Sequence, residues 1–108
     1  MQDILKKSNE YIPTPDNILD YISKYYGIEK EIICGQQRVK DAVAARQIAM
    51  YLMRNLTNLP LKEIGEEFGG RNHATVLSSI RKVEELLKSD PDISATVRDI
   101  TSNINSKN

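Results

Sequence analysis

The sequence predicts an all-α fold, and three observations carry that expectation. Apolar residues recur at three- and four-residue intervals, as in Ala45, Ile48, Ala49, Leu52, Met53 and Leu56, or Ile93, Val97, Ile100 and Ile104. Helix starts and stops are marked by Thr14-Pro15-Asp16, Gly27, Gly35, Pro60, Gly69-Gly70 and Ser89-Asp90-Pro91. No stretch reads as a strand. The 108 residues are one domain's length, and 40% hydrophobic content suffices for a single modest core. Residues 1–13 read as a connector segment and 14–108 as the folded domain.

The first helix starts at Thr14-Pro15-Asp16, where threonine caps, proline suits the first helical position and aspartate meets the positive end of the dipole. Ile18, Leu19, Ile22 and Tyr25 or Tyr26 form its apolar face, and Gly27 stops it. Five tyrosines against one phenylalanine raise the question of base stacking, but three of them fall at helical spacing here, which favours packing. Ile28 to Cys34 predicts one or two helical turns closed by Gly35. Cys34, the lone cysteine, reads as a small core residue without a disulfide or zinc partner.

Gly35-Gln36-Gln37-Arg38-Val39-Lys40 is a polar, basic loop, open to two readings: a solvated connection, or a contact to phosphate or minor groove. From Asp41, expected as the cap, a helix runs to about Leu56. Arg46, Gln47, Met50 and Arg54 lie off its apolar stripe, and Arg46 and Arg54 share a face over about 12 Å of helical rise. After the connector Thr57-Asn58-Leu59-Pro60, Leu61, Ile64 and Phe68 sit at i, i+3 and i+7 of a short helix. Its acids Glu63, Glu66 and Glu67 are expected to face away from any DNA, and Lys62 toward it. A long helix runs from about Asn72 to Lys88, and a last amphipathic one carries Ile93 to Ile104.

Gly69 and Gly70 permit a tight reversal with positive φ between the short and the long helix, the sequence form of a helix-turn-helix. The long helix begins with polar Arg71, Asn72, His73 and Thr75, then turns apolar at Val76, Leu77, Ile80 and Val83, so its back is buried and its tip is free. A tip of this kind can enter the major groove: the Asn72 amide pairs with adenine or accepts from cytosine, His73 meets a base edge, and the Ala74 methyl meets that of thymine. Thr75 and the helix N-terminus suit a phosphate. Equally open is the plain alternative in which Asn72 only caps the helix and His73 is a surface residue.

Zero net charge counts against nucleic-acid binding, but the charge is uneven. Residues 35–54 carry Arg38, Lys40, Arg46 and Arg54 against Asp41 alone, and 71–88 are net +2. With one histidine and no glycine-rich phosphate loop of the GxxxxGK type, metal, triad and nucleotide-hydrolysing enzymes are poorly supplied. The absence of a long apolar run or a signal peptide's apolar centre, with the single cysteine, predicts a cytoplasmic protein. Sequence-specific duplex binding, a dimeric transcription regulator of Trp-repressor type and a protein-interaction module are the three functions these features admit.

Gly69-Gly70-Arg71-Asn72-His73-Ala74-Thr75-Val76-Leu77, followed by Ile80-Arg81-Lys82-Val83, closely resembles the signature of the bacterial replication-initiator DnaA family. Ala45-Arg46-Gln47-Ile48-Ala49-Met50-Tyr51-Leu52, Leu56-Thr57 and Leu61-Lys62-Glu63-Ile64-Gly65 fall in the family's order and spacing, and the resemblance extends from about Thr14 to Ile104. It implies a C-terminal helix-turn-helix domain, monomeric, that binds TTATCCACA-like boxes in double-stranded origin DNA. The resemblance places Arg38 in the minor groove and Asn72, His73 and Ala74 at bases. Lys40, Arg46, Gln47, Arg54, Thr57, Lys62, Arg71 and Thr75 are implied at the DNA backbone. It also implies no cofactor in this domain, with ATP, other initiator copies and acidic lipids engaged by parts of a full-length protein outside this chain. Asn72 and Ala74 depart from the family's usual Asp and Thr, and Ala44 and Ala45 stand where a basic residue and a proline can occur, which implies fewer phosphate contacts and a shallower salt dependence.

Overall fold

A computed structural model describes residues 13–105, so the expected connector lies outside the described residues except for Pro13, which is buried. Six α-helices follow one another: α1 (Pro15–Tyr26), α2 (Lys30–Cys34), α3 (Lys40–Leu56), α4 (Leu61–Glu67), α5 (His73–Ser89) and α6 (Pro91–Asn105), with no strand among the described residues. The all-α expectation holds.

The local signals act as the sequence predicts at most helix ends. Thr14 Oγ1 accepts from Asn17 N at 3.1 Å, and Gly27 closes α1 at φ 68°, a left-handed conformation that favours glycine. At α3 the outcome differs. The helix starts at Lys40 with Val39 as its cap residue and no side-chain capping bond, so Asp41 lies inside the first turn, where its charge meets the dipole.

Helix α3 is the hub, packing against α1, α2, α4 and α5. Its Ile48, Ala49, Met50, Leu52 and Met53 are buried, joined by Ile18 and Ile22 of α1 and by Ile64 and Phe68 at the helix-turn-helix. Met50 deserves its place there for a geometric reason: α3 is covered on so many sides that positions off the main apolar stripe are also enclosed. Helix α6 packs on α1 and α5, burying Val97, Ile100 and Ile104. Of the tyrosines of α1, Tyr21 and Tyr26 pack at the core edge and Tyr25 stays exposed, edge-on to the Tyr26 ring. Cys34, expected in the core, is half-buried at its margin, where burial first and then the Glu67 charge raise the thiol pKa.

Lys30 of α2 bridges Asp20 at 2.8 Å and Asp16 at 3.1 Å, tying the five-residue α2 to α1 from the solvent side. Among the described residues no helix is long and apolar enough to cross a membrane.

If α6 is integral to this core, Ile100→Ala removes a fully enclosed side chain and is expected to lower unfolding stability by about 2–5 kcal/mol in urea titration. A loss below about 0.5 kcal/mol would place Ile100 outside the core.

Candidate nucleic-acid interface

The interface is built on the turn between α4 and α5. The carbonyl of Gly65 accepts from Phe68 N at 3.1 Å, Gly70 N at 3.0 Å and Arg71 N at 3.0 Å, folding the chain back over the last turn of α4. Gly69 and Gly70 adopt φ 83° and 85°, as the sequence predicts for the reversal. Gly65 was not singled out by sequence, yet a Cβ there would overlap the carbonyl oxygen of Arg71 and touch Val76 Cγ2 at 3.4 Å. The available signal was an isolated glycine inside a helical pattern.

The turn delivers the chain to Asn72 in extended conformation, and Asn72 Oδ1 accepts from Thr75 N at 2.9 Å. The residue therefore is a helix cap, and the oxygen of its amide is engaged while the NH2 remains a donor. His73, Ala74 and Thr75 are exposed, whereas Val76 and Ile80 are buried, so α5 presents a polar tip and hides an apolar back.

Two depressions flank this tip. One, of about 380 Å³, is lined by Lys62, Glu66, Gly70, Arg71, Asn72 and His73. The other, of about 220 Å³, lies between the basic loop, α3 and α5, and brings together Gln36, Arg38, Arg46, Gln47, Arg71 and Ser79. Arg71 lines both, so the two are adjacent. Ala74 instead lies on the face of α5 that carries Arg81 and Lys82. Arg38, Lys40, Arg54 and Lys62 are exposed cations, and Thr57 is half-buried.

Several residues are placed differently from what the sequence predicts. Arg46 does not share an open face with Arg54: it is 7% exposed, and between the two Met50 is fully buried. Its Nε donates to Ile33 O at 2.7 Å and its Nη2 to Gln37 O at 3.0 Å and Ile32 O at 3.2 Å. The reason is that α2 packs on this side of α3 and leaves carbonyls at its C-terminal end that need donors. Burial, then the neighbouring Arg71 guanidinium, lowers the Arg46 pKa, but a guanidinium remains cationic at neutral pH. Arg71 is likewise turned inward: Nη2 donates to Gly35 O at 2.7 Å, and Nε is buried without a hydrogen-bond partner. The Thr57 hydroxyl closes α3 by donating to Met53 O and accepts from Leu59 N at 3.2 Å. Glu66, expected to face away from the tip, lines the same depression as His73, because Lys62 and Glu66 stand four apart on one face of α4. Gln36 and Ser79 join the loop cleft without having been singled out. Among the described residues no group of three His, Cys, Asp or Glu side chains could hold a metal ion.

A short helix, a two-glycine turn and a second helix with a solvent-facing polar start make this a helix-turn-helix protein. Residues 15–83 match the family model described as the bacterial dnaA protein helix-turn-helix, and the chain belongs to that family. It is 41% identical over 93 residues to the chromosomal replication initiator protein DnaA of Neisseria meningitidis serogroup C and, to the same extent, to that of Neisseria gonorrhoeae. Those matches cover 86% of this chain and 18% of each relative, so the chain spans under a fifth of their length. The segment matched by the family model is the helix-turn-helix and not a nucleotide-hydrolysing module.

Because the Arg71 carbonyl is backbone and cannot rotate aside, Gly65→Ala is expected to destabilise the domain by about 3 kcal/mol or more. The drop in melting temperature should be on the order of 10 °C or more. An unchanged melting temperature would show that α4 and the turn do not approach this closely.

Proposed function

We propose that this domain binds double-stranded DNA sequence-specifically, at boxes of the TTATCCACA type in a replication origin. The observation that carries the reading is the adjacency of the exposed α5 tip, with Asn72, His73 and Ala74, to a cleft containing Arg38, Arg46, Gln47 and Arg71. A helix start with free polar side chains suits base edges in the major groove, and a loop cation beside it suits the minor groove. Membership of the family and the names of the Neisseria relatives, replication initiator proteins, support the same reading.

In this reading His73 and the NH2 group of Asn72 address base edges, and the Ala74 methyl meets a thymine methyl. With one lone pair of the Asn72 oxygen engaged as a cap, the NH2 group is free to donate to an acceptor on a base, and the oxygen's second lone pair can still accept from a cytosine amine. Arg38 enters the minor groove. Lys40, Gln47, Arg54, Lys62 and Thr75 hold phosphates, joined by the N-terminus of α5. Arg46 and Arg71 lend positive potential from within while their donors hold the loop, and Thr57 shapes the connector. Glu66 beside His73 and Lys62 opposes phosphate there, which keeps binding at that edge weak unless the base contact is correct. The domain binds as a monomer to one asymmetric box. ATP binding, assembly with other copies and contact with acidic lipids belong to other parts of a longer initiator.

Fluorescence anisotropy against a duplex with one box and a scrambled duplex, each at two salt concentrations, tests the reading. Preference for the box by orders of magnitude, weakening with salt, is expected; equal weak binding to both would refute box recognition. His73→Ala should cost about 1–3 kcal/mol on the box and little on the scrambled duplex. Arg54→Ala should weaken both about equally and reduce the salt slope by about 1.

A further inference from the structure

Two arginines hold the backbone of one short segment. Arg46 donates to the carbonyls of Ile32, Ile33 and Gln37, and Arg71 donates to that of Gly35, so four carbonyls between residues 32 and 37 are fixed by guanidinium groups. The segment ends α2 and begins the loop that carries Arg38. From Gln36 to Val39 this loop is exposed and outside any helix; besides these donors, the bond from Val43 N to Val39 O at 2.9 Å anchors its far end.

The two arginines hold it from different places. Arg46 belongs to α3, in the middle of the core. Arg71 belongs to the turn, one residue before the cap of α5, and its own backbone N is hydrogen-bonded to Gly65 O. The bond from Arg71 Nη2 to Gly35 O spans 36 residues of chain and joins the start of the recognition helix to the basic loop. Its Nε is buried, while the residue as a whole is partly exposed where it lines the two depressions.

We infer that Arg71 is a positioning residue that sets the Arg38 loop in register with the α5 tip, so that the two DNA-reading parts engage the duplex as one preorganised unit. The inference rests on the DNA-binding reading above. Ordering a four-residue loop at the moment of binding lowers affinity, and a loop already tied down avoids that loss. Arg71 then affects base discrimination through Arg38 and not through a contact of its own.

The test uses Arg71→Met, which keeps the stem and removes the donors, together with Arg38→Ala, the double variant and Arg71→Lys. Each is titrated by anisotropy against the box, against boxes with single base-pair changes and across a salt series. Arg71→Met is expected to weaken box binding on the order of tenfold, and to lose discrimination at the base pairs that Arg38→Ala also loses. Discrimination at the base pairs sensitive to His73→Ala should persist. In the Arg38→Ala background, Arg71→Met should change box affinity by less than about threefold, the share of its charge alone, with the salt slope reduced by well under about 1, whereas Arg71→Lys alone should restore part of the discrimination.

A further loss of about fivefold or more in the Arg38→Ala background, with the salt slope reduced by about 1, would make Arg71 a phosphate ligand and overturn the inference. Independently of DNA, amide NMR of the free Arg71→Met domain should shift or broaden Gly35 to Val39 and leave His73 to Ile80 in place. If Arg71→Met does not fold, Arg71→Lys carries both measurements. Failure of the unaltered domain to prefer the box sinks the DNA reading alone, and unperturbed loop amides sink the positioning role alone.

Discussion

The carbonyl of Gly65 is the point on which the helix-turn-helix depends. Three backbone N–H groups from the turn converge on it, which is possible only because residue 65 has no side chain to hold the Arg71 carbonyl away. That single approach sets where α4 ends, how sharply the chain reverses and at what angle α5 departs. It also fixes the backbone of Arg71, and with it the direction from which that side chain reaches Gly35. A close approach of two backbones thereby governs features on both sides of the cleft.

The fold was largely legible because its signals are local. Thr14, Gly27 and Asn72 act at helix ends within three or four residues, and the apolar spacings of α1, α3, α5 and α6 report their buried faces directly. The residues read differently are those whose environment comes from elsewhere in the chain. Arg46 was expected on an open face because helical periodicity knows only its own helix, and α2, whose carbonyls it satisfies, is 13 residues away. Met50 was likewise enclosed by neighbours that periodicity does not contain. Asp41 missed the cap position by two residues, within the range by which helix boundaries commonly shift. At the site, the exposure of His73, Ala74 and Thr75 followed from pattern, whereas the inward commitment of Arg71 did not.

A neutral chain can still concentrate positive potential. Arg46 and Arg71 stand close enough for one to lower the pKa of the other, and among the described residues neither forms an ion pair with a carboxylate. Carbonyl oxygens accept their hydrogen bonds without cancelling their charge. The exposed acids Glu63, Glu66 and Glu67 cluster on α4, and Asp16 and Asp20 are paired with Lys30 on the opposite partner helices α1 and α2. The zero sum of the sequence therefore conceals a cleft in which cations are grouped and anions are held elsewhere, apart from Glu66 at its neighbour's edge.

The double duty of Asn72 constrains how such a tip can diversify. Its side chain begins α5 by accepting from Thr75 N, so substitutions there are filtered first by helix initiation, which admits Ser, Thr, Asp and Asn and penalises most others. His73 and Ala74, exposed one and two residues further on, carry no comparable obligation to the fold. Variation at position 72 is thereby drawn from a small alphabet of short polar side chains, while positions 73 and 74 can explore nearly the whole set. A lineage built on this turn can change its first letter only within that short alphabet, whereas the fold itself sets no such limit on the second and third.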